Sequence, residues 1–432
     1  MPGGVLQIAA IGAQDVFLTG TPQITYFIAV YKRYSNFSIE CVNQLFTGNA
    51  DFGKKVFCNI GRVGDLMSDT HLHIKLPKLV NSTNPDAKIY WVNSIGHVLI
   101  KYIDIEIGGT IVDRQYGIWM EIWSELTIPK EKQTAFNEMI GRYDNKHIDK
   151  SVLHHPPESH NGEMELYIPL YFWFCRNIGL ALPLIALQHH DVKINLGLRE
   201  INELYVTTSN IEPDLDTKIV ECSLYVDYIF LADDERKRFA GNDHEYLIEQ
   251  LQINSTSLNA SIKKPKELRQ TAFNDTSMVD VKFNHPVKEF IWIIQNSLIL
   301  EESKEDGHLG NDWFNFGNVV DRTQHKDPMI RGKFIIDGED RMETRNGKYF
   351  RLVQPYQRHT SVPENTYIYV YSFGLHPEKH QPSGTFNFSC VDNCLFEVVL
   401  NEGITRPVLQ MFATNYNILR IMGGMAGVAF TN

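Results

Sequence analysis

Residues Val220 to Phe230 read VECSLYVDYIF. Val220, Cys222, Leu224, Val226, Tyr228 and Phe230 alternate with Glu221, Ser223, Tyr225 and Asp227. Successive strand residues point to opposite sheet faces, so this spacing predicts a strand with one apolar and one mostly polar face. The same period of two recurs in Leu72, Ile74 and Leu76 against His71, His73 and Lys75. It recurs again in Ile103, Ile105 and Ile107, which run into Gly108-Gly109. A Gly-Gly pair between two apolar runs suits a two-residue hairpin, whose turn needs positive φ at both positions. Thr366 to Phe373 (TYIYVYSF) is β-branched or aromatic at almost every position and predicts a strand that is buried on both faces or faces a subunit contact. Many short strands broken by Gly, Pro, Asn and Asp indicate an all-β chain of sandwiches or barrels.

Helical signals are few. Thr21-Pro22 provides an N-cap and a proline at the first helical position, followed by Ile24, Phe27, Ile28 and Tyr31 at helical spacing. Gly117 to Leu126 carries a broad stripe of Ile118, Trp119, Ile122, Trp123 and Leu126. Both segments are expected to pack on sheets. The densest charged stretch, Asp233 to Gly241 (DDERKRFAG), is expected to join two β-domains of similar length. Ile105–Arg114 (IEIGGTIVDR) and Phe334–Arg341 (FIIDGEDR) share the order strand, glycine turn, Asp-Arg, which hints at an internal duplication.

The chain has 432 residues, 43% hydrophobic and 22% charged, enough for two or three cored domains. Its formal charge of −11 has the wrong sign for a protein that wraps nucleic acid. The longest apolar run, Ile178 to Leu187, is interrupted by Gly179 and Pro183 and is too short to span a bilayer. The N-terminus reads as no signal peptide, so the six cysteines are expected to be buried thiols rather than a disulfide framework. The sequons at Asn36, Asn81, Asn254, Asn259, Asn274 and Asn387 leave glycosylation undecided. P-loop, nucleophile-elbow, zincin and dinucleotide-binding motifs are absent. His71 and His73 have the spacing of a cupin metal pair, but Ile74 to Val80 supplies no acid, so a polar strand face is favoured. Cys390 and Cys394 lack a zinc-spaced partner pair, and His189-His190-Asp191 reads as a strand emerging into solvent. No residue is assigned a catalytic or metal-binding role, and no cofactor is expected.

Gly12–Gly20 (GAQDVFLTG), continuing to Phe37, resembles the N-terminus of the major capsid proteins of large icosahedral DNA viruses, including the chlorella-virus, iridovirus and marseillevirus groups. Further resemblances follow in the family's order: Arg62–Leu66 (RVGDL), Gly179–Ile194, Asp227–Gln252, Phe283–Gln295, Leu375–Ser389 and Asn415–Phe430. The resemblance implies a double jelly roll, two eight-stranded antiparallel sandwiches with a few short helices. It implies an arm at 1–25, a first jelly roll at 26–232, a linker at 233–240 and a second jelly roll at 241–432. It further implies a non-enzymatic homotrimer of pseudo-hexagonal outline that tiles a virus shell. Such a chain would reside in the virion capsid, be assembled in the host cytoplasm, and make no direct contact with nucleic acid. Its partners would be other copies, then minor capsid and penton proteins, close to an internal viral membrane. The arm residues expected to touch minor capsid proteins are Leu6, Ile8, Gln14, Asp15, Phe17 and Leu18; the linker residues are Asp234, Glu235, Arg236, Lys237 and Arg238. The basic cluster Arg236-Lys237-Arg238 is a candidate aid to the lattice of acidic trimers. Alternatives are a minor or penton capsid component of the same fold, or a carbohydrate-binding or cupin-like metal-dependent jelly roll.

Overall fold

The computed structural model describes residues 3–10, 12, 21, 27, 35–84, 88–143, 161–207, 211–258, 276–300, 310–317, 326–363, 366–401, 404 and 406–431. The chain separates into two units, Met1–Phe37 and Ser38–Asn432. The described part of the first is mainly a short helix, α1 (Gly3–Ala9). The helix expected from Thr21 to Arg33 lies almost wholly outside the described residues.

The second unit is built from strands. In chain order they are β1 (Phe37–Leu45), β2 (Lys55–Asn59), β3 (Leu66–Leu76), β4 (Ile100–Ile107), β5 (Thr110–Gln115), β6 (Met164–Pro169), β7 (Val192–Leu198) and β8 (Glu221–Leu231). They form two facing sheets of order β1-β8-β3-β6 and β2-β7-β4-β5. Then come β9 (His244–Ser257), β10 (Thr276–Asp280), β11 (Pro286–Asn296), β12 (Met329–Ile336), β13 (Glu339–Asp340), β14 (Tyr369–Ser372), β15 (Cys394–Leu400) and β16 (Pro407–Met422). Their orders are β9-β16-β11-β14 and β10-β15-β12-β13, so each strand repeats the place of the one eight earlier. This is the double jelly roll. A short β17 (Met425–Val428) folds back on β16.

The two fragments of the internal echo occupy the same place. Gly108-Gly109 turns β4 into β5 with φ of 59° and 86°. Asp337-Gly338 turns β12 into β13 with φ of 50° and 83°. Aspartate tolerates this left-handed region, and here its Oδ1 also accepts the backbone N–H groups of Asp392 and Asn393 at 3.0 and 2.9 Å.

The two cores differ in composition. Between the first pair of sheets lie aliphatic residues, among them Leu72, Ile74, Ile103, Ile105, Ile194, Leu224 and Val226. The inward row of β8 is the one its alternation predicts, although Val220 falls outside the strand and is exposed. The second core is aromatic. Phe334 stacks on Phe396 at 4.7 Å, and Trp292 meets Phe350 and Phe396 at 5.1 and 5.2 Å. Tyr367 to Tyr371 is buried throughout, as its composition predicts.

What joins the halves is chiefly a helix. α2 (Gly117–Thr127) turns Met120 into the first core and Trp119, Ile122, Trp123 and Leu126 into the second. The latter four cover the outer face of the β9-β16-β11-β14 sheet, where Ile291, Ile293, Val370 and Phe412 are buried and Trp119 lies 5.4 Å from Phe412. Covering both faces explains why β11 (PVKEFIWIIQN) reads as a continuous apolar run. α2 is held from behind by a buried polar network. Glu121 accepts from Ser94 Oγ at 3.0 Å, pairs with His97 Nδ1 at 2.6 Å and bonds the Arg142 guanidinium. Burial alone would raise the Glu121 carboxyl, but Arg142 and His97 outweigh it and bring it down to about 2. α3 (Lys130–Ile140) follows α2.

Candidate assembly surfaces

The contact between the jelly rolls shows which side chains fix their relation. Arg176, just after β6, reaches Glu249 on β9 at 2.6 Å, and Lys288 reaches the same oxygen at 2.6 Å. Burial works against the Glu249 charge, yet these two cations hold its pKa below the ordinary value. Arg176 also lies over the Trp123 ring at 4.4 Å. Asp113 on β5 accepts the Leu251 N–H at 2.9 Å, and Gln250 Nε2 donates to the Val112 carbonyl at 2.6 Å. Trp313 Nε1 also donates to the Glu203 carbonyl at 2.8 Å, while Arg199 stacks over Trp313 at 3.9 Å.

His189 is exposed, as expected, and His190 is half-buried. They receive the turn between β16 and β17: His189 N–H donates to the Gly424 carbonyl at 2.9 Å, and Ala426 N–H donates to His190 Nδ1 at 3.1 Å. The cause is the long β16, whose Leu419 and Ile421 leave the second core and join the first.

The predicted linker is a helix, α4 (Asp233–Gly241), with no buried residue. Asp233, Asp234 and Glu235 occupy its first turn and Arg238 its last, both favourable to the helix dipole. Arg236 is bound to Asp65 at 3.0 Å. Lys237 and Arg238 are exposed on the same helix as Asp233, Asp234 and Glu235. Of the arm residues, Leu6 and Ile8 are exposed on α1, while Gln14, Asp15, Phe17 and Leu18 lie outside the described residues.

His71 and His73 both face outward from β3, as alternation requires. His73 is engaged in the sheet surface: Nε2 meets Glu165 at 2.9 Å, Nδ1 meets Ser223 Oγ at 3.3 Å, and the Tyr167 and Tyr225 rings lie 4.8 and 5.3 Å away. The cysteines are free thiols, but Cys41 and Cys390 are exposed rather than buried. Burial and the neighbouring Asp227 push the Cys41 thiol up to about 11. Asn81 and Asn387 each use Oδ1 to accept a backbone N–H in a tight turn, from Thr83 at 3.0 Å and Ser389 at 3.1 Å.

The outer face of the β1-β8-β3-β6 sheet carries exposed apolar side chains. Val42 packs against the core, so Ile39, Cys41 and Leu45 point outward along β1. Ile39 is half exposed and Leu45 is 73% exposed. Beside them lie Tyr225, His73 and Tyr167, flanked by Asp69, Asp227, Glu163, Glu165 and Glu221. Burial, then Asp227, raise the Asp69 carboxyl, with His71 opposing. On the second jelly roll, a π-helical turn (Tyr349–Val353) runs into α5 (Gln354–Arg358). Phe350 enters the core, while Leu352, Val353 and Tyr356 face solvent, Tyr356 at 80% exposure.

Comparison with known proteins gives these surfaces a context. A family described as the major capsid protein N-terminus matches residues 25–232, and one described as the large eukaryotic DNA virus major capsid protein matches residues 235–427. The major capsid protein of Phaeocystis pouchetii virus is 37% identical, with all of both chains covered. That of Paramecium bursaria Chlorella virus 1 is 33% identical, again over the whole of both. Among solved structures, the PBCV-1 VP54 crystal structure superposes with a TM-score of 0.77 at 30% identity, covering 94% of this chain and 100% of that one. The Faustovirus major capsid protein shares the fold at a TM-score of 0.75 and 13% identity, over 95% of this chain and 94% of that one. This chain therefore belongs to the major capsid proteins of large eukaryotic DNA viruses.

Proposed function

We propose that the chain works as a homotrimeric capsomer whose six jelly rolls present a near-hexagonal outline for tiling an icosahedral shell. The observation that carries this reading is the α2 contact. It joins two sandwiches of identical strand order side by side through buried apolar surface and a buried ion network, making one chain a rigid third of a six-part ring. In this reading the working chemistry is that of interfaces, and no side chain is assigned catalysis or cofactor binding. The division into an arm at 1–25, jelly rolls at 26–232 and 241–432 and a joint at 233–240 is part of the proposal. So are assembly in the host cytoplasm, contact of the arm with minor capsid proteins near an internal membrane, and contact of the capsomer with penton proteins. The exposed Val5, Leu6 and Ile8 of α1 support an arm that needs a partner surface.

Each chain brings a formal charge of −11, so capsomers repel one another at low salt, over a screening length of about 10 Å at 0.1 M. Trimer contacts that are apolar at their centre should survive high salt, whereas trimer–trimer association should strengthen with it. Light scattering of the native protein across a salt series tests both statements. A mass of three chains at every salt concentration is expected, and a monomer or dimer at micromolar concentration would overturn the capsomer reading.

A further inference from the structure

The seam between the two jelly rolls of one chain holds a buried carboxyl whose bonding partners are neutral. Asp113 on β5 is 5% exposed and lies where β5 of the first jelly roll meets β9 of the second. Its Oδ1 accepts the Leu251 N–H at 2.9 Å across the seam, and its Oδ2 accepts from Gln115 Nε2 at 3.2 Å. The charged groups of the neighbouring elements are engaged elsewhere. On β5 itself, Arg114 is held by Asp104 of β4 at 2.7 Å. After β6, Arg176 reaches Glu249 of β9 at 2.6 Å and donates to the Tyr171 carbonyl at 3.0 Å. Lys288 of β11 reaches the same Glu249 oxygen at 2.6 Å and donates to the Pro377 carbonyl at 2.6 Å. Against burial, Lys288, Arg176 and His380 keep Glu249 ionised. On α2, Glu121 is bound to His97 and Arg142. An ionised Asp113 would have to share Arg176 with Glu249, whereas a neutral one needs only an acceptor for its proton. Gln115 supplies that acceptor. Its Oε1 is buried and has no partner among the described residues, and a half-turn of the amide brings Oε1 to the carboxyl in place of Nε2.

We propose that this seam is an acid-tightened joint: protonated Asp113 closes β5 on β9, and its ionisation loosens the first jelly roll from the second. The titration of the group runs in the same direction. Burial pushes the Asp113 carboxyl up to about 6, with Leu251, Gln115 and Arg176 opposing. A carboxyl raised in the closed joint holds it closed below the solvated value of about 4 and releases it as pH rises through about 6. Glu249, held below its ordinary value, keeps its charge over that range. The apolar contacts of Trp119, Ile122, Trp123 and Leu126 on α2 do not titrate, so the joint loosens at neutral pH without coming apart. The chain thus stiffens between its halves when it passes from neutral to acid surroundings.

The inference concerns the inside of one chain and holds whether or not three chains form a ring. The Leu251 N–H is its reporter, because Asp113 accepts it. Hydrogen exchange of the full chain is read residue by residue by mass spectrometry at pH 4.5 and 7.5 and corrected for the intrinsic pH dependence of exchange. Leu196, fully buried on the central strand β7, is the reference amide. In wild type, Leu251 is expected to exchange faster than Leu196 and to lose protection by at least about tenfold at pH 7.5, one pK unit being tenfold in the opening equilibrium. Asp113→Asn keeps an acceptor for Leu251 and cannot ionise, so its protection should be the same at both pH values. His380→Gln leaves Asp113 in place and should keep the wild-type fall. A wild type without the fall, a fall that survives in Asp113→Asn, or a Leu251 amide that exchanges as slowly as Leu196 at pH 7.5 overturns the inference. Urea unfolding checks that the variants fold. If Asp113→Asn does not, a wild-type pH series decides: a one-proton fall in Leu251 protection between about pH 4 and 6 supports the joint, and its absence overturns it.

Discussion

Replacing Trp119 by alanine should loosen one jelly roll from the other. Trp119 is fully buried, stacks on Trp123 at 5.4 Å and packs on Phe412 at 5.4 Å. A buried tryptophan removes on the order of 200 Å² from water, which at about 25 cal/mol per Å² is roughly 5 kcal/mol for the whole side chain. Alanine recovers part of that, and partial collapse of the cavity recovers more, so a loss of about 3–5 kcal/mol is expected. Among the described residues its indole N–H has no hydrogen-bond partner, so the expected loss is one of packing. Urea unfolding followed by tryptophan fluorescence measures it, with Leu215→Ala as a control at a side chain that is 103% exposed. Because α2 anchors Met120 in the first core and Trp119 in the second, the variant should also broaden or split the transition, as the halves lose their coupling. A shift below about 1 kcal/mol with an unchanged single transition would refute the role given to α2.

Three further outcomes follow from individual groups. Burial pushes the Asp113 carboxyl up to about 6, against the opposing bonds from Leu251 and Gln115. A raised folded pKa means that this group favours folding most below its unfolded value of about 4 and loses that contribution as pH rises through about 6, by roughly 3 kcal/mol. Asp113→Asn should therefore gain on wild type in urea midpoint at pH 7.5 relative to pH 4.5; an equal difference at both would refute this. Burial opposes the charge on His359, but Glu289 at 3.0 Å and Glu378 at 2.9 Å outweigh it and push its pKa up to about 9. Its stabilising contribution is full below about pH 6.5 and disappears as pH rises through about 9, so His359→Gln should flatten the alkaline fall in melting temperature. Gly197 lies under Tyr102, whose ring an added Cβ would meet at 2.4 Å. Gly197→Ala should cost about 1–3 kcal/mol, and the double variant with Tyr102→Ala should cost less than the sum of the two singles.

Much of this architecture is written in period-two alternation. β8 and β3 show their inward rows directly, and the two glycine-bearing hairpins reveal the repeat because only a few residues accept positive φ. The helix at Gly117–Thr127 is equally plain, but not its target. A stripe of Trp119, Ile122 and Trp123 reads the same whether it lies on its own sheet or on the neighbour's. The clue was in β11: a strand in an antiparallel sandwich that fails to alternate has something over its second face. Alternation is also silent on which row is covered by another molecule. In β1, Val42 packs inward while Ile39 and Leu45 are left in solvent. The charged Asp233–Gly241 reads as a joint but gives no hint that Arg236 is bound by Asp65, a contact between residues distant in sequence.

The most direct measurement is electron microscopy of the purified protein, with class averages viewed along the particle axis. The account predicts threefold particles of hexagonal outline with six sandwich-sized densities in a ring. Class averages of single two-lobed particles, or of twofold dimers, would contradict it.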